Sequence, residues 1–361
     1  MAAYNQTSLE VIDLPDFEKI LEPLPKVFDG MSLAHSLGIR NRTLMHMIVK
    51  RESMYKVHSI PKKSGGRRTI HAPERMLKFV QTRVLKRYLT PLTYPDHVAA
   101  YVQGRTTRDS ALVHAGKPIL IVLDLKDFFS STRRSWVRRA IQDEFGYAHR
   151  VASLLSDLMT VPMTFPYGKR FVVPQGAPTS GAICNWVAHH RIDKQVLDLC
   201  SRWGMAYTRY ADDLAFSSHE RLDRKKTNNF IKAIVKIIRA AGYQINKKKL
   251  RVARSGRQQR LLGMTINEKP NVMRLQFRKM RARIHHCHHE GFAAVAATMG
   301  MDSADKLKSQ IEGQISYYHM ISPVKSAQLN AQYLAACSAR NEAPIQNKRA
   351  CANPAELSAA E

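Results

Sequence analysis

Long apolar runs, paired cysteines and acidic side chains are scarce in this 361-residue sequence, and each shortage removes a class of function. No stretch approaches the ~18–20 consecutive apolar residues of a membrane span. The first residues lack a basic segment followed by an apolar run, so no signal peptide is expected. Five cysteines, at 184, 200, 287, 337 and 351, are odd in number and scattered, with no Cys-x-x-Cys pair. That pattern argues against a disulfide framework or a cysteine-rich zinc site and favours a reducing, cytoplasmic setting without membrane contact. Acids are the most telling deficit. Asp and Glu number 29 against 57 Lys and Arg, a formal net charge of +28. Such self-repulsion serves no small-molecule enzyme, whereas a phosphate backbone neutralises it in the complex. The rest of the composition, 44% hydrophobic and 24% charged, is globular with ample core material.

Periodicity and punctuation divide the chain. Residues 1–30, broken by Pro15, Pro23 and Pro25, read as an N-terminal extension. Ser32–Arg51 carries Leu33, Leu37, Leu44, Met47 and Ile48 near helical spacing. Val57–Ile60 and Arg68–Ala72 flank Lys63-Ser64-Gly65-Gly66, a hairpin signal, and a helix is predicted over 74–89. Ile119-Leu120-Ile121-Val122-Leu123 reads as a strand buried on both faces. Helices are expected at 134–144 and 149–159, a strand at 171–173 and a long helix over 179–200. Two short strands, Met205–Tyr210 and Leu214–Ser217, precede an amphipathic helix over 225–241. Beyond Arg260, strands at 261–266 and 273–275 lead into helices over 277–335, and from Ser338 the aperiodic chain reads as a loose tail.

Charge is concentrated. Residues 221–260 hold fourteen Lys and Arg and one acid, Asp223, interleaved with a helix whose other face is apolar. A phosphate-tracking surface is expected there.

Against this basic background a few carboxylates stand out. Asp124 ends the apolar strand, in Leu123-Asp124-Leu125-Lys126-Asp127-Phe128-Phe129, and Asp212-Asp213 sit between apolar neighbours in Tyr210-Ala211-Asp212-Asp213-Leu214. Singly, each could be a turn residue or helix cap. Together they are costly to bury unless a cation neutralises them. Oxygen-only ligation without His or Cys points to Mg2+, with Mn2+ as the alternative. Two such ions ~3.5–4 Å apart are the usual device for in-line phosphoryl displacement.

These residues resemble the reverse transcriptase family. Asp124-x-x-Asp127-x-Phe129 resembles its first catalytic motif, Pro174-Gln175-Gly176-Ala177-Pro178-Thr179-Ser180 its template- and nucleotide-positioning motif, and Tyr210-Ala211-Asp212-Asp213 its metal motif. Gly242-Tyr243-Gln244-Ile245-Asn246 with Lys247–Lys249 resembles the next, and Leu262-Gly263 the primer-gripping turn. The five occur in family order over roughly residues 55–320. The resemblance implies an α+β right-hand polymerase fold, with fingers, a palm of antiparallel sheet packed on helices, and a helical thumb. Fingers and palm would span 31–260, primer grip and thumb 261–335, and a flexible tail 336–361. It implies that Asp124 and Asp212 ligate both metals, that Asp213 lies near the primer end, and that the Leu125 carbonyl completes a site. Nucleotide contacts would come from Asp127, Phe128 and Phe129, the last excluding a 2′-hydroxyl, and from Gln175 and Gly176. Arg68 would clamp the triphosphate, with Lys63 or its neighbour Lys62 assisting, and Lys249 would serve near the leaving pyrophosphate. Tyr210, Leu262, Gly263 and the helix-borne Arg278, Arg281 and Arg283 would contact nucleic acid.

After Gly263 the acids are scattered, with no carboxylate set for an RNase H domain and no His/Cys/Asn cluster for an endonuclease. That compactness is similar to the bacterial retron class. It implies a non-coding RNA as template and primer, an RNA–DNA hybrid product, deoxynucleoside triphosphates, host RNase H, and an effector or toxin protein encoded nearby in anti-phage defence. Two retron motifs are altered: Ser110-Ala111-Leu112-Val113-His114 lacks the initial Asn, and Leu261-Leu262-Gly263 keeps only the Gly of Val-Thr-Gly. The RNA and its priming chemistry therefore stay open. So does the alternative of a defence relative making repetitive or untemplated DNA; intact carboxylates argue against an idle RNA-binding scaffold. The run His285-His286-Cys287-His288-His289 suggests zinc, but adjacent helical residues do not face one another.

Overall fold

The computed structural model describes residues 24–62 and 65–345; Pro15, Pro23, Lys63 and the end of the expected tail lie outside them. Residues 24–29 already pack on the body of the protein, since Val27 is buried and Tyr147 Oη donates to the Pro25 carbonyl at 2.7 Å. The helical spacing of 32–51 is realised as two helices, α1 (Gly30–Ser36) and α2 (Asn41–Val49). They break at Gly38, φ +64°, where the Arg83 guanidinium fills the space a Cβ would need and donates to the Leu37 carbonyl.

The expected hairpin forms from β1 (Tyr55–Pro61) and β2 (Arg67–Pro73), followed by α3 (Arg75–Val84) and a π turn to Leu89. Next come α4 (Thr107–His114), β3 (Ile119–Asp124), α5 (Phe128–Ser131), α6 (Arg134–Phe145) and α7 (His149–Leu158). A second hairpin, β4 (Val161–Phe165) with β5 (Gly168–Val172), extends the single strand expected at 171–173. The long helix is α8 (Ser180–Ala188) and α9 (Lys194–Arg202), joined through a π turn at His189–Asp193. Then follow β6 (Met205–Tyr210), β7 (Asp213–Ser218), α10 (Arg224–Ala240) and β8 (Arg251–Arg254).

The C-terminal part opens with three two-residue strands, β9 (Arg260–Leu261), β10 (Met264–Thr265) and β11 (Asn271–Val272). The expected strand at 273–275 is not one: α11 (Arg274–Glu290) begins there. α12 (Phe292–Thr298), α13 (Ala304–Ile321) and α14 (Pro323–Ala339) complete a bundle. Because α14 runs to Ala339 and buries Ala336 and Cys337, the tail expected from 336 starts inside a helix. No helix among the described residues is long and apolar enough to cross a membrane.

The central sheet has the order β6-β7-β3-β8, all antiparallel, which buries every residue of β3. Side chains alternate between its faces. Ile119, Ile121 and Leu123, with Phe216, meet Phe230, Ile234 and Ile238 of α10. Leu120 and Val122, with Ala215, meet Ala111 of α4 and the cluster built by the C-terminal bundle. Asp124 continues this second face. His114 pins α4 there, its ring nitrogens 2.7 Å from Ser217 Oγ and 2.8 Å from Thr208 Oγ1. Burial pushes its pKa down to about 3, so it is a neutral packing residue.

Behind β6 lies a buried ion pair. Arg209, fully enclosed, donates to Asp193 from Nε (2.9 Å) and Nη2 (2.7 Å), and to the Asn185 side chain and carbonyl. Tyr207 Oη donates to the same carboxylate, and His97 and His189 approach it. Burial alone would raise the Asp193 pKa, but Arg209 holds it well below the usual carboxylate range. Replacing Arg209 by Met strands that charge and should cost about 3–5 kcal/mol, with part of the loss recovered by Arg209→Met with Asp193→Leu. Urea denaturation of both variants checks this; equal losses would show that the pair is not the source.

Candidate active site

Strand register brings the carboxylates together. Asp124, the last residue of β3, lies opposite Asp213, the first of β7, while Asp212 occupies the tight turn from β6. That turn requires Ala211 at φ +58°, an uncommon conformation for a residue with a Cβ. The Asp212 carbonyl accepts from the Leu125 N–H at 2.8 Å, tying the turn to the end of β3. On the other side the Asp124 carbonyl accepts from Asn246 N–H (2.8 Å), and Lys126 N–H donates to the Gln244 carbonyl (2.7 Å). None of these bonds uses the Leu125 carbonyl.

Electrostatics follow from this crowding. Asp124 is 3% exposed. Burial, then the charges of Asp212 and Asp124, push Asp213 up to about 6. Burial and Asp124 also raise Asp212, while Lys249 and Arg68 pull it back. Lys249 Nζ stands 2.5 Å from Asp124 Oδ2, and the three carboxylates keep its ammonium above its ordinary pKa despite burial. A cation thus already sits on the carboxylates, and these oxygen-only donors fit a hard divalent ion. Among the described residues, the group whose ligand atoms all lie within 4.8 Å of one another is His97, His189 and Asp193, and Arg209 already neutralises its carboxylate; Asp124, Asp212 and Asp213 do not approach one another that closely.

The β1–β2 hairpin reaches this centre. His71 N–H donates to the Gln175 carbonyl at 2.8 Å. Gly176, φ +118°, must lack a Cβ because one would lie 2.7 Å from Ile70 Cγ2 and 3.0 Å from the His71 carbonyl. The constraint on this glycine is therefore contact with β2, in addition to any approach of a nucleotide. Arg68, exposed on β2, is close enough to act on Asp212. Gln175 is half-buried, and Asp127 is exposed at the start of α5 in a left-handed conformation.

Two of the expected nucleotide contacts part company. Phe128 is buried against Tyr243 and Phe129, so its ring cannot reach a nucleotide and only its backbone remains available. Phe129 is half-buried and meets Tyr101 edge-on at 6.3 Å. Tyr101 was not readable as a site residue. It is 58% exposed, has φ +58°, and lies on Gly181, where a Cβ would come within 2.5 Å of its ring. Burial and then the charge of Asp212 raise its hydroxyl pKa, and Arg68 opposes them.

Leu262 and Gly263 form a turn with φ +48° and +83°. Tyr317 of α13 lies beside Gly263 and also acts on Tyr210, which joins this turn to the Ala211-Asp212 turn. The three helix-borne arginines divide. Arg278 and Arg281 line a groove of about 440 Å³ with His285, His288 and Gln332 of α14. Arg283 instead points to α13 and donates to Gln310 at 3.1 Å.

The family model of "Reverse transcriptase (RNA-dependent DNA polymerase)" matches residues 60–266. The retron Mx65 reverse transcriptase of Myxococcus xanthus is 32% identical over 311 residues, covering 82% of this chain and 68% of its own. The retron Mx162 enzyme of the same organism is 31% identical, covering 89% and 70%. The retron Ec86 enzyme of Escherichia coli is 27% identical, covering 73% and 79%. The chain belongs to the retron-type reverse transcriptases. It is an RNA-directed DNA polymerase with the family's α+β right-hand fold.

The raised pKa of Asp213 carries a stability signature for this reverse transcriptase. In the folded, metal-free enzyme the group holds its proton up to about pH 6, against 3.8 for the free side chain. The fold therefore binds more protons there, and stability falls as pH rises through that window. Asp213→Asn should raise the Tm measured in EDTA at pH 7–8, and the advantage should shrink below about pH 6. A pH-independent difference would mean that Asp213 is not the strained group.

Proposed function

We propose that Asp124, Asp212 and Asp213, with the Leu125 carbonyl, hold two Mg2+ ions, which Mn2+ can replace. The observation that carries this reading is the register that sets Asp124 opposite Asp213 beside the Asp212 turn. The ions would activate the primer 3′-oxygen and stabilise the leaving pyrophosphate.

The chain's own groups do the rest. Arg68 grips the triphosphate with its planar fork, assisted by Lys63. Lys249, now on Asp124, would yield that carboxylate to a divalent cation and then place its ammonium near the leaving phosphates. Phe129 sits beneath the sugar and collides with a 2′-hydroxyl, and Tyr101 braces that ring at its edge. Gln175, Gly176, Asp127 and the Phe128 backbone complete the nucleotide pocket. Tyr210, Leu262 and Gly263 hold the primer end, while Arg278 and Arg281 meet the product sugar–phosphate backbone. Fingers and palm correspond to 31–260, and the primer grip and thumb extend from 261 to the end of α14.

The enzyme would copy part of a dedicated non-coding RNA into DNA in the cytoplasm. Its substrates would be deoxynucleoside triphosphates and its product an RNA–DNA hybrid. Host RNase H would remove the copied template, and a nearby-encoded effector would couple synthesis to anti-phage defence. The retron names of the relatives support the RNA partner.

Asp212→Asn combined with Asp213→Asn should abolish DNA synthesis and leave RNA affinity nearly intact, because the basic surface supplies that affinity. Primer extension and filter binding on one preparation test it, and residual polymerisation would remove these residues from the site. Phe129→Ala should raise the ratio of ribonucleotide to deoxynucleotide incorporation, read by competitive single-nucleotide extension. An unmoved ratio would make Phe129 a packing residue.

A further inference from the structure

The basic run at 221–260 reads in sequence as one surface, but the fold divides it between opposite faces of the central sheet. Lys249 stands at the carboxylates. Arg251, Arg257 and Arg260 line a groove of about 280 Å³ with Leu120 and Val122, on the face that continues into Asp124. Helix α10 packs its Phe230, Ile234 and Ile238 against the other face. We propose that the outer side of α10 is a second RNA-binding surface, which holds the phosphate backbone of a base-paired stem while the catalytic cleft holds the RNA–DNA hybrid.

The pattern on α10 is specific. Lys225, Asn229, Lys232, Lys236 and Arg239 are exposed and recur at intervals of three or four residues. They fall within about 80° of helical arc, directly opposite the buried stripe, and span about 21 Å. The helix contains no acid; Asp223, just before it, caps the first turn by accepting from the Lys226 N–H at 2.7 Å. At its far end Arg191 donates to the Ala241 carbonyl and lies over Trp136 at 4.1 Å, with Arg133 over the same ring at 5.3 Å. Burial and the neighbouring charges of Arg139 and Arg133 lower the Arg191 pKa. Two acids are paired with other residues, Glu144 with His190 and Asp198 with Arg202, while Glu220 is exposed before the helix. Like charges assembled this way repel until an anion joins them.

The chemistry of the stripe selects its occupant. No large hydrophobic side chain of α10 is exposed, so it offers neither the apolar face of a membrane-surface helix nor the anchors of a protein interface. It also carries no aromatic on which unpaired bases could stack. Regularly spaced cations with an interspersed amide suit phosphates and 2′-hydroxyls, the groups by which double-stranded RNA is held. The hybrid in the cleft lies across the sheet, so the stem belongs to RNA that is not being copied. The proposal relies on the polymerase reading only for what fills the cleft.

The test uses the full-length protein, a fluorescent 20-base-pair RNA hairpin of arbitrary sequence as probe, and excess unlabelled RNA–DNA primer-template to fill the cleft. Wild type should still bind the hairpin. The variant Lys225→Gln, Lys232→Gln, Lys236→Gln, Arg239→Gln should bind it roughly tenfold more weakly, with a salt slope smaller by about 0.7–0.9 for each phosphate no longer neutralised. Its extension of the same primer-template should match wild type, which also shows that the variant is folded. Complete displacement of the hairpin by the hybrid, or unchanged hairpin affinity in the variant, would overturn the proposal. So would extension that falls in step with hairpin binding, because α10 would then belong to the cleft. Displacement by polyglutamate as readily as by RNA of equal charge would overturn it in favour of an acidic protein partner.

Discussion

Repulsion among three carboxylates at one end of a sheet is the constraint around which this molecule is arranged. Register sets Asp124 opposite Asp213 and the turn adds Asp212, all in a region where burial already disfavours charge. Such a cluster is destabilising by itself, so neighbouring structure must hold it. Lys249 neutralises part of it, and Arg68 and Arg251 contribute from the hairpin and from β8. A divalent cation at this proposed site would serve the same purpose more completely and would relieve the repulsion that Lys249 only partly offsets. Function here is stored as unrelieved charge.

The Asp212-Asp213 turn is held from behind by a different device. Arg209 immediately precedes the Tyr210-Ala211-Asp212-Asp213 segment, and its guanidinium is locked by Asp193 and Asn185. Its backbone pairs with the 97–99 segment, through Arg209 N–H to the His97 carbonyl and Ala99 N–H to the Arg209 carbonyl. The same segment leads to Tyr101, and Asn185 donates to the Ala100 carbonyl on the way. One buried pair thus fixes both the position of the Asp212-Asp213 turn and the aromatic that meets Phe129. A buried ion pair is a weak source of stability compared with apolar packing, but it tolerates few alternative geometries.

Some of this was legible before any coordinates. An acid at the end of an apolar strand and a doublet of acids in a tight turn contradict their surroundings, and such contradictions mark sites. The first arm of the second hairpin was missed because Pro162 argues against a strand; a two-stranded hairpin leaves an edge that tolerates it. Tyr101 carries no local mark, because its position depends on Gly181 in a distant helix. Arg209 reads as one more basic residue in a basic chain, and only enclosure distinguishes it. The separation of Arg283 from Arg278 and Arg281 could have been read, since at 100° per residue it falls on another side of the helix.

Net charge shows the same limit at larger scale. A surplus of +28 identifies a phosphate-bearing partner but says nothing about how many surfaces meet it. Strand alternation and helix phase decide that. β3 sends Leu120, Val122 and Asp124 to one face, and α10 covers the other. Arg251 of β8 and the cations of α10, close in sequence, therefore stand on opposite sides of the sheet, whereas Arg254 of β8 turns towards α10 and donates to the Leu222 carbonyl. A duplex held at the carboxylates does not contact the outer stripe of α10, because the sheet and the buried side of the helix lie between them. The proposed second surface on α10 rests on this distribution of the excess charge, in an enzyme that would hold one part of its nucleic acid while copying another.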